Sequence, residues 1–130
     1  MMIEAAGWRL NNTIVWDKGY PGLGSGFRAQ HEFALVASNG SPIWHSYAYG
    51  NVLQDMRLTK TEHPHQKPEG IIGKIIETCV PVGGLILDSF MGSGTTLRVA
   101  KNLGRRAIGF DLSEKHCETA ARRMEQEVLI

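Results

Sequence analysis

Residues 85–96 read LILDSFMGSGTT, and the fold of the chain turns on what this stretch becomes. Leu85, Ile86 and Leu87 form a short continuous apolar run, the pattern of a strand covered on both faces. Asp88 ends the run. Gly92 and Gly94 then turn the chain into a helix whose inner face is Thr96, Leu97, Ala100 and Leu103, with Gly104 as its stop. Residues 107–110 give a second buried strand ending at Asp111, and Ser113 is placed to cap a last helix with Cys117, Ala120, Ala121, Met124 and Val128 on its inner stripe. Upstream, Pro68 suits the first turn of a helix; Ile71, Ile72, Ile75, Ile76 and Cys79 repeat at helical spacing until Pro81 and Gly83 end it. Helix, strand, helix, strand, helix predicts an α/β fold with two parallel strands joined by a right-handed crossover.

A glycine-rich turn between a strand and a helix lets a ligand approach the backbone, because Gly92 and Gly94 carry no side chain to block it. A carboxylate at the end of the next strand can accept hydrogen bonds from both hydroxyls of a ribose, and Asp111 lies 23 residues after Asp88, close to the required spacing. Turn and acid together imply an adenosine-containing ligand. A phosphate-binding loop of the Gly-x-x-x-x-Gly-Lys-Ser/Thr kind does not fit, since no Lys follows Gly94. The dinucleotide pattern Gly-x-Gly-x-x-Gly fails as well, because Gly92-Ser-Gly94 leads into Thr95, Thr96 and Leu97.

The first half of the chain is less regular. Residues 3–8 allow one helical turn, weakened by Gly7 and ended by Asn11 and Asn12. Residues 13–18 (TIVWDK) put Ile14 and Trp16 on one side of a period-two pattern, and residues 31–38 (HEFALVAS) form a second β-rich run. Between them lies YPGLGSGF (20–27), with three glycines in five residues and too flexible to be an element. Asn39-Gly40 supplies a turn, so a hairpin of 33–36 with 43–47 is expected, and 50–66 reads as a polar connecting loop.

At 130 residues, 42% hydrophobic and 21% charged, the chain has room for a single domain with a modest core. A net charge of +1 gives no global pull toward nucleic acid, so any contact with it must come from a local patch. Cys79 and Cys117 stand 38 residues apart with no second Cys near either, which leaves no disulfide framework and no Cys-x-x-Cys knuckle. No apolar run reaches the ~18–20 residues of a membrane span, and the start of the chain lacks a basic-then-apolar leader, so a cytoplasmic protein is expected. His31, His45, His63 and His65 find no Cys or carboxylate at ligand spacing and imply no metal. Arg98, Lys101, Arg105 and Arg106 read as a solvated surface, and Trp16 and Trp44 as packing residues.

The quoted stretch closely resembles the cofactor signature Asp-Pro-Phe-x-Gly-Ser-Gly-Thr-Thr of DNA methyltransferases that modify exocyclic amines, with Ser89 in place of the usual Pro. His63-Pro-His-Gln-Lys-Pro68 resembles the His-Pro-x-Gln-Lys-Pro segment preceding that signature in the β-ordered subclass, with His65 where Thr is common. Gly104-Arg-Arg-Ala-Ile-Gly-Phe-Asp-Leu112 resembles the strand that bears the ribose-binding acid, and Trp16-Asp-Lys18 and His31-Glu32 resemble strands flanking the target-recognition region. The resemblance spans nearly the whole chain. It implies a partial Rossmann-like fold, with a mostly parallel sheet and a hairpin in the N-terminal half. One incomplete methyltransferase domain covers 1–130, its recognition-side strands in 1–62 and its cofactor-binding half in 63–130.

The resemblance also implies S-adenosylmethionine as cofactor and double-stranded DNA as partner, methylated on adenine or cytosine in a restriction-modification setting. Asp88 and the backbone of Phe90, Gly92, Ser93, Gly94 and Thr95 would surround the methionine and sulfonium end. Asp111 would hold the ribose, while Gln66, Lys67 and Pro68 would close over the cofactor from the side. Lys18 and Arg28 sit where the DNA-facing region would be. The family transfers the methyl group at an Asp-Pro-Pro-Tyr or Ser-Pro-Pro-Tyr turn, which stacks on a base flipped out of the helix. No such tetrapeptide occurs here; Ser41-Pro-Ile-Trp44 comes nearest and reads more simply as a hairpin turn, so no catalytic residue is assigned. A fragment of a longer enzyme, a truncated relic, and a subunit completed by an N-terminal piece or by another copy all fit. A non-catalytic module that binds S-adenosylmethionine or DNA, or associates with itself, is the alternative.

Overall fold

The computed structural model describes residues 2–55 and 68–125. A short helix α1 (Met2–Ala5) is closed by Trp8, whose N–H donates to the Ile3 carbonyl at 3.1 Å. Strand β1 (Arg9–Asp17) begins earlier than the alternating pattern suggests. Asn11 and Asn12 therefore lie inside a strand and do not end a helix. The β1 register slips between Leu10 and Asn12, which leaves Asn11 as the extra residue of a bulge, its side-chain nitrogen buried without a hydrogen-bond partner among the described residues.

Strand β2 (His31–Ser38) pairs antiparallel with β1 from Arg9↔Ser38 to Asp17↔His31. The antiparallel pair of the first half is thus formed across residues 18–30, not across Asn39-Gly40. The Asn39-Gly40 turn does form, with Gly40 at φ +88° and the Ser38 hydroxyl donating to the Gly40 carbonyl, but the chain beyond it does not return along β2. The His45 N–H instead donates to the Thr78 carbonyl at 2.9 Å, in the last turn of the following helix. Carbonyls there lack intrahelical partners and compete for such donors. Strand β3 (Val52–Gln54) then pairs parallel with β1, on the opposite side from β2, within a stretch that reads as loop. Its Leu53 is buried.

Helix α2 (Glu69–Cys79) follows Pro68 and carries the expected isoleucine faces. Two cores meet on it. Ile71 and Ile75 pack with Ile14, Trp16 and Leu53 under the first sheet; Ile72 and Ile76 pack with Ile86, Val99, Ala100, Leu103 and Ala107 under the second. That second sheet consists of β4 (Leu85–Asp88) and β5 (Arg106–Gly109), paired in parallel from Leu85↔Arg106 to Asp88↔Gly109 and connected through α3 (Thr95–Asn102). Helix α4 (Glu114–Glu125) closes the order, with the Ser113 hydroxyl accepting from the His116 N–H at 3.4 Å as a cap.

Burial corrects several expectations. The β4–β5 pair is covered on one face only: Leu85, Leu87 and Ile108 are 55%, 63% and 47% exposed, because among the described elements α2 and α3 pack against the opposite face. In α3 the buried residues are Thr95, Leu97, Val99 and Ala100, with Thr96 half-exposed, since the helix contacts α2, α4 and both strands. In α4 Ala120 is buried and Cys117 and Met124 are half-buried, but Ala121 is exposed; Val128 lies outside the described residues. Arg98, Lys101 and Arg105 are not simply solvated. Each donates to a backbone carbonyl: Arg98 to Arg123 and Lys101 to Met124 on α4, and Arg105 to Val80 and Leu103, which follow the last residues of α2 and α3. Unpaired carbonyls and the negative end of the helix dipole draw the Arg105 guanidinium to the ends of α2 and α3.

Candidate cofactor site at the end of the parallel pair

β4 ends at Asp88, and the chain leaves the sheet through a turn that only glycine accommodates easily. Gly92 and Gly94 have φ of +52° and +80°, in the left-handed region. The two glycines differ in what surrounds them. A side chain built on Gly92 would meet nothing within 4 Å, so this glycine faces open space, whereas one on Gly94 would lie 2.7 Å from the Cβ of Ala120. Gly94 therefore lets α4 pack close behind the turn, and Gly92 leaves its front free. The main chain is pinned on both flanks, with Met91 N–H donating to the Phe110 carbonyl at 3.0 Å and Phe110 N–H to the Asp88 carbonyl at 2.9 Å.

Two carboxylates stand at the ends of the paired strands. Asp88 accepts from the Phe90 N–H at 3.1 Å. Asp111 accepts from the Gly92 N–H at 3.0 Å, the Ser113 N–H at 2.8 Å and His116 Nδ1 at 3.1 Å, so one side chain ties the glycine turn to the start of α4. These donors, foremost the Ser113 N–H, hold the Asp111 carboxyl below the ordinary carboxylate range against the opposing effect of burial.

Behind the turn stands a residue that no sequence pattern singles out. Arg123, on α4, donates through Nη1 to the Ser93 carbonyl and hydroxyl, both at 3.1 Å, and to the Thr95 hydroxyl at 3.3 Å. Its Nη2 binds Glu69 Oε1 at 3.1 Å, in the first turn of α2. Ser93 and Thr95 are each only 8% exposed, so their side chains face this guanidinium and not solvent. The partners are far apart in sequence, and an Arg on a polar helix flank reads as surface.

Of the anticipated cofactor residues, Asp88, Phe90, Gly92, Ser93, Gly94, Thr95 and Asp111 share this one corner, with Phe90 91% exposed beside it. Pro68 is buried immediately before Glu69 and so belongs to the same neighbourhood through Arg123; Gln66 and Lys67 lie outside the described residues. Lys18 is turned back on its own sheet, with Nζ 2.7 Å from Glu32 and 5.3 Å from the Trp16 ring centre. Arg28 is exposed in the 18–30 connection. A cavity of about 260 Å³ lies elsewhere, between β1, residues 44–51 and the far half of α2. Among the described residues no carboxylate lines it, so the chemistry favours the glycine corner.

Residues 1–122 match the family model described as DNA methylase of the N6/N4 class. The chain is 34% identical over 148 residues to the type II methyltransferase M2.DpnII of Streptococcus pneumoniae, covering 98% of this chain and 55% of that protein. It is 32% identical over 147 residues to M2.LlaDCHI of Lactococcus lactis subsp. cremoris, with 97% and 55% covered. Among solved structures it superposes on the M1.HpyAVI-SAM complex with a TM-score of 0.80 at 29% identity, over 95% of this chain and 66% of that one. PvuII DNA methyltransferase (cytosine-N4-specific) shares the fold, with a TM-score of 0.74 at 19% identity over 99% and 56%. The chain thus spans about half the length of the curated relatives it matches. With the family model covering nearly all of its residues, the chain belongs to the N6/N4 DNA methylase family.

Proposed function

We propose that this chain is the cofactor-holding portion of a DNA amino-methyltransferase and binds S-adenosylmethionine at the corner where β4 and β5 end. The observation that carries the reading is the pairing of an open Gly92 backbone with Asp111 across the strand ends. A neighbour of the same fold is described as a complex with this cofactor. Asp111 accepts from the ribose hydroxyls, and Asp88 with the backbone of Phe90–Gly94 surrounds the methionine and sulfonium end. A carboxylate beside a sulfonium is favourable electrostatics. Ser93 and Thr95 contribute through the shape of the turn, and the resemblance gives Gln66, Lys67 and Pro68 the role of closing over the cofactor from the side. When bound, the cofactor supplies an electrophilic methyl group; this chain's part is to hold and orient it.

Double-stranded DNA, with adenine or cytosine as target, is the substrate class, within a cytoplasmic restriction-modification setting such as the type II relatives suggest. Lys18 and Arg28 lie on the DNA side. The uncovered face of Leu85, Leu87 and Ile108, next to the β4 edge that lacks a strand partner among the described residues, supports completion by a further segment bearing the Pro-Pro-Tyr turn or by a second copy. Titration calorimetry with S-adenosylmethionine should give saturable heat for the wild type and at least roughly tenfold weaker binding for Asp111→Ala, as expected when charged hydrogen bonds are lost. Absence of heat in both would sink the reading. The same protein incubated with plasmid and labelled cofactor should transfer no label, and incorporation above an Asp88→Ala control would overturn that part.

A further inference from the structure

We infer that Arg123 is a positioning residue for the cofactor turn, bracing it against α2 so that the turn holds the shape the amino-acid end of the cofactor needs. The inference rests on the cofactor reading above and adds to it a residue that touches no ligand. Its geometry is specific. One guanidinium nitrogen meets three oxygens of Ser93 and Thr95 within 3.1–3.3 Å, and the other meets Glu69 at 3.1 Å. A planar fork can serve two elements at once, which a lysine ammonium on the same stem cannot do with the same geometry. Ser93 and Thr95 are largely buried, so their oxygens have little access to water other than through the space the guanidinium fills.

The main chain that carries Arg123 is itself fixed, because its carbonyl accepts from Arg98 Nη1 at 2.8 Å and the next carbonyl, of Met124, accepts from Lys101. Arg123 thus sits on an anchored stretch of α4 and transmits that position to two neighbours. Ser93 precedes Gly94, whose left-handed backbone begins α3, so movement at Ser93 would rotate the peptide groups that line the site. The ribose carboxylate Asp111 accepts one hydrogen bond from the braced turn, from the Gly92 N–H, but its other donors, Ser113 and His116, lie outside that turn and Arg123 does not touch them. Loss of the brace should therefore act on one end of the cofactor far more than on the other.

The test compares S-adenosylmethionine with adenosine, which lacks the amino-acid and sulfonium end, by calorimetry on the full chain. Arg123→Met should weaken S-adenosylmethionine binding roughly tenfold while adenosine changes by less than about threefold, with Arg123→Lys intermediate. Glu69→Gln, which leaves the contacts to Ser93 and Thr95 intact, should produce a smaller loss with the same selectivity and covers the case in which Arg123→Met does not fold. Equal losses for both ligands, accompanied by a lowered melting temperature, would reduce Arg123 to a structural role and overturn the proposal. Variants that bind both ligands like the wild type would overturn it too. Wild type that binds neither ligand refutes the cofactor reading, and the brace with it, whereas normal wild-type binding with unaffected variants refutes the brace alone.

Discussion

Two glycine-rich turns in this chain follow a strand that ends in aspartate, and they do different things. After β1, Asp17 accepts from the Gly19 N–H and from Gln30, and the loop from Tyr20 to Phe27 runs out with Leu23 and Phe27 fully exposed. After β4, the turn around Gly92 and Gly94 is shorter, held by Asp111 from one side and by Arg123 and Ala120 from behind. Both turns carry glycines in left-handed backbone and both close on a carboxylate. The difference is the backing. Glycine provides conformational freedom, and a binding site additionally needs packed elements that remove all but one of the allowed shapes.

The strongest way to break this comparison is to add one methyl group to each turn. Gly94→Ala places a Cβ 2.7 Å from Ala120 in a backbone at φ +80°, and should destabilise the fold by about 3 kcal/mol or more, seen as a shift of the urea midpoint. Gly26→Ala pays the backbone term alone, since nothing lies within 4 Å of its Cβ position, and should cost about 1 kcal/mol. Similar values at the two sites would mean that the cofactor turn is no better backed than the loop.

A smaller effect sharpens it. The Asp17 carboxyl is held low chiefly by Gln30 and then by the Gly19 N–H, and that of Asp111 chiefly by the Ser113 N–H. For a carboxylate depressed in the folded state, the stabilisation is complete above the unfolded value of ~3.9 and is lost as pH falls through the lower folded value. Asp17→Asn and Asp111→Asn should each flatten the fall of the urea midpoint in that acid window. Only the second should also weaken S-adenosylmethionine binding at neutral pH; parallel loss in both would tie the first loop to the site.

What was legible in the sequence follows from how local the signals are. The order from α2 to α4 is set by neighbours in sequence: Pro68 before its helix, the glycines after β4, Ser113 before α4. Asp88 and Asp111 could be paired because a strand-helix-strand unit has a nearly fixed length. The first half depends on competition among distant partners. Asn39-Gly40 is a good turn, yet β2 pairs with β1 across a longer connection, and residues after the turn are taken by α2. Exposure of Leu85 and Leu87 was equally hidden, because an apolar run gives no count of the layers that cover it. Arg123 illustrates a third kind of invisibility, since its role exists only where α2, α4 and the turn converge.

The sharing of α2 between two cores has a consequence for the order in which the molecule opens. The helix has only 11 residues, too few to persist by itself in water, so its hydrogen bonds depend on Ile71 and Ile75 on one side and Ile72 and Ile76 on the other. Opening either sheet strips the helix of half its support. Amides in the middle of α2 should therefore exchange with deuterium only when the whole chain opens, more slowly than those of β3 or α1, and they report the global stability of a molecule whose described strands fall into two separate sheets.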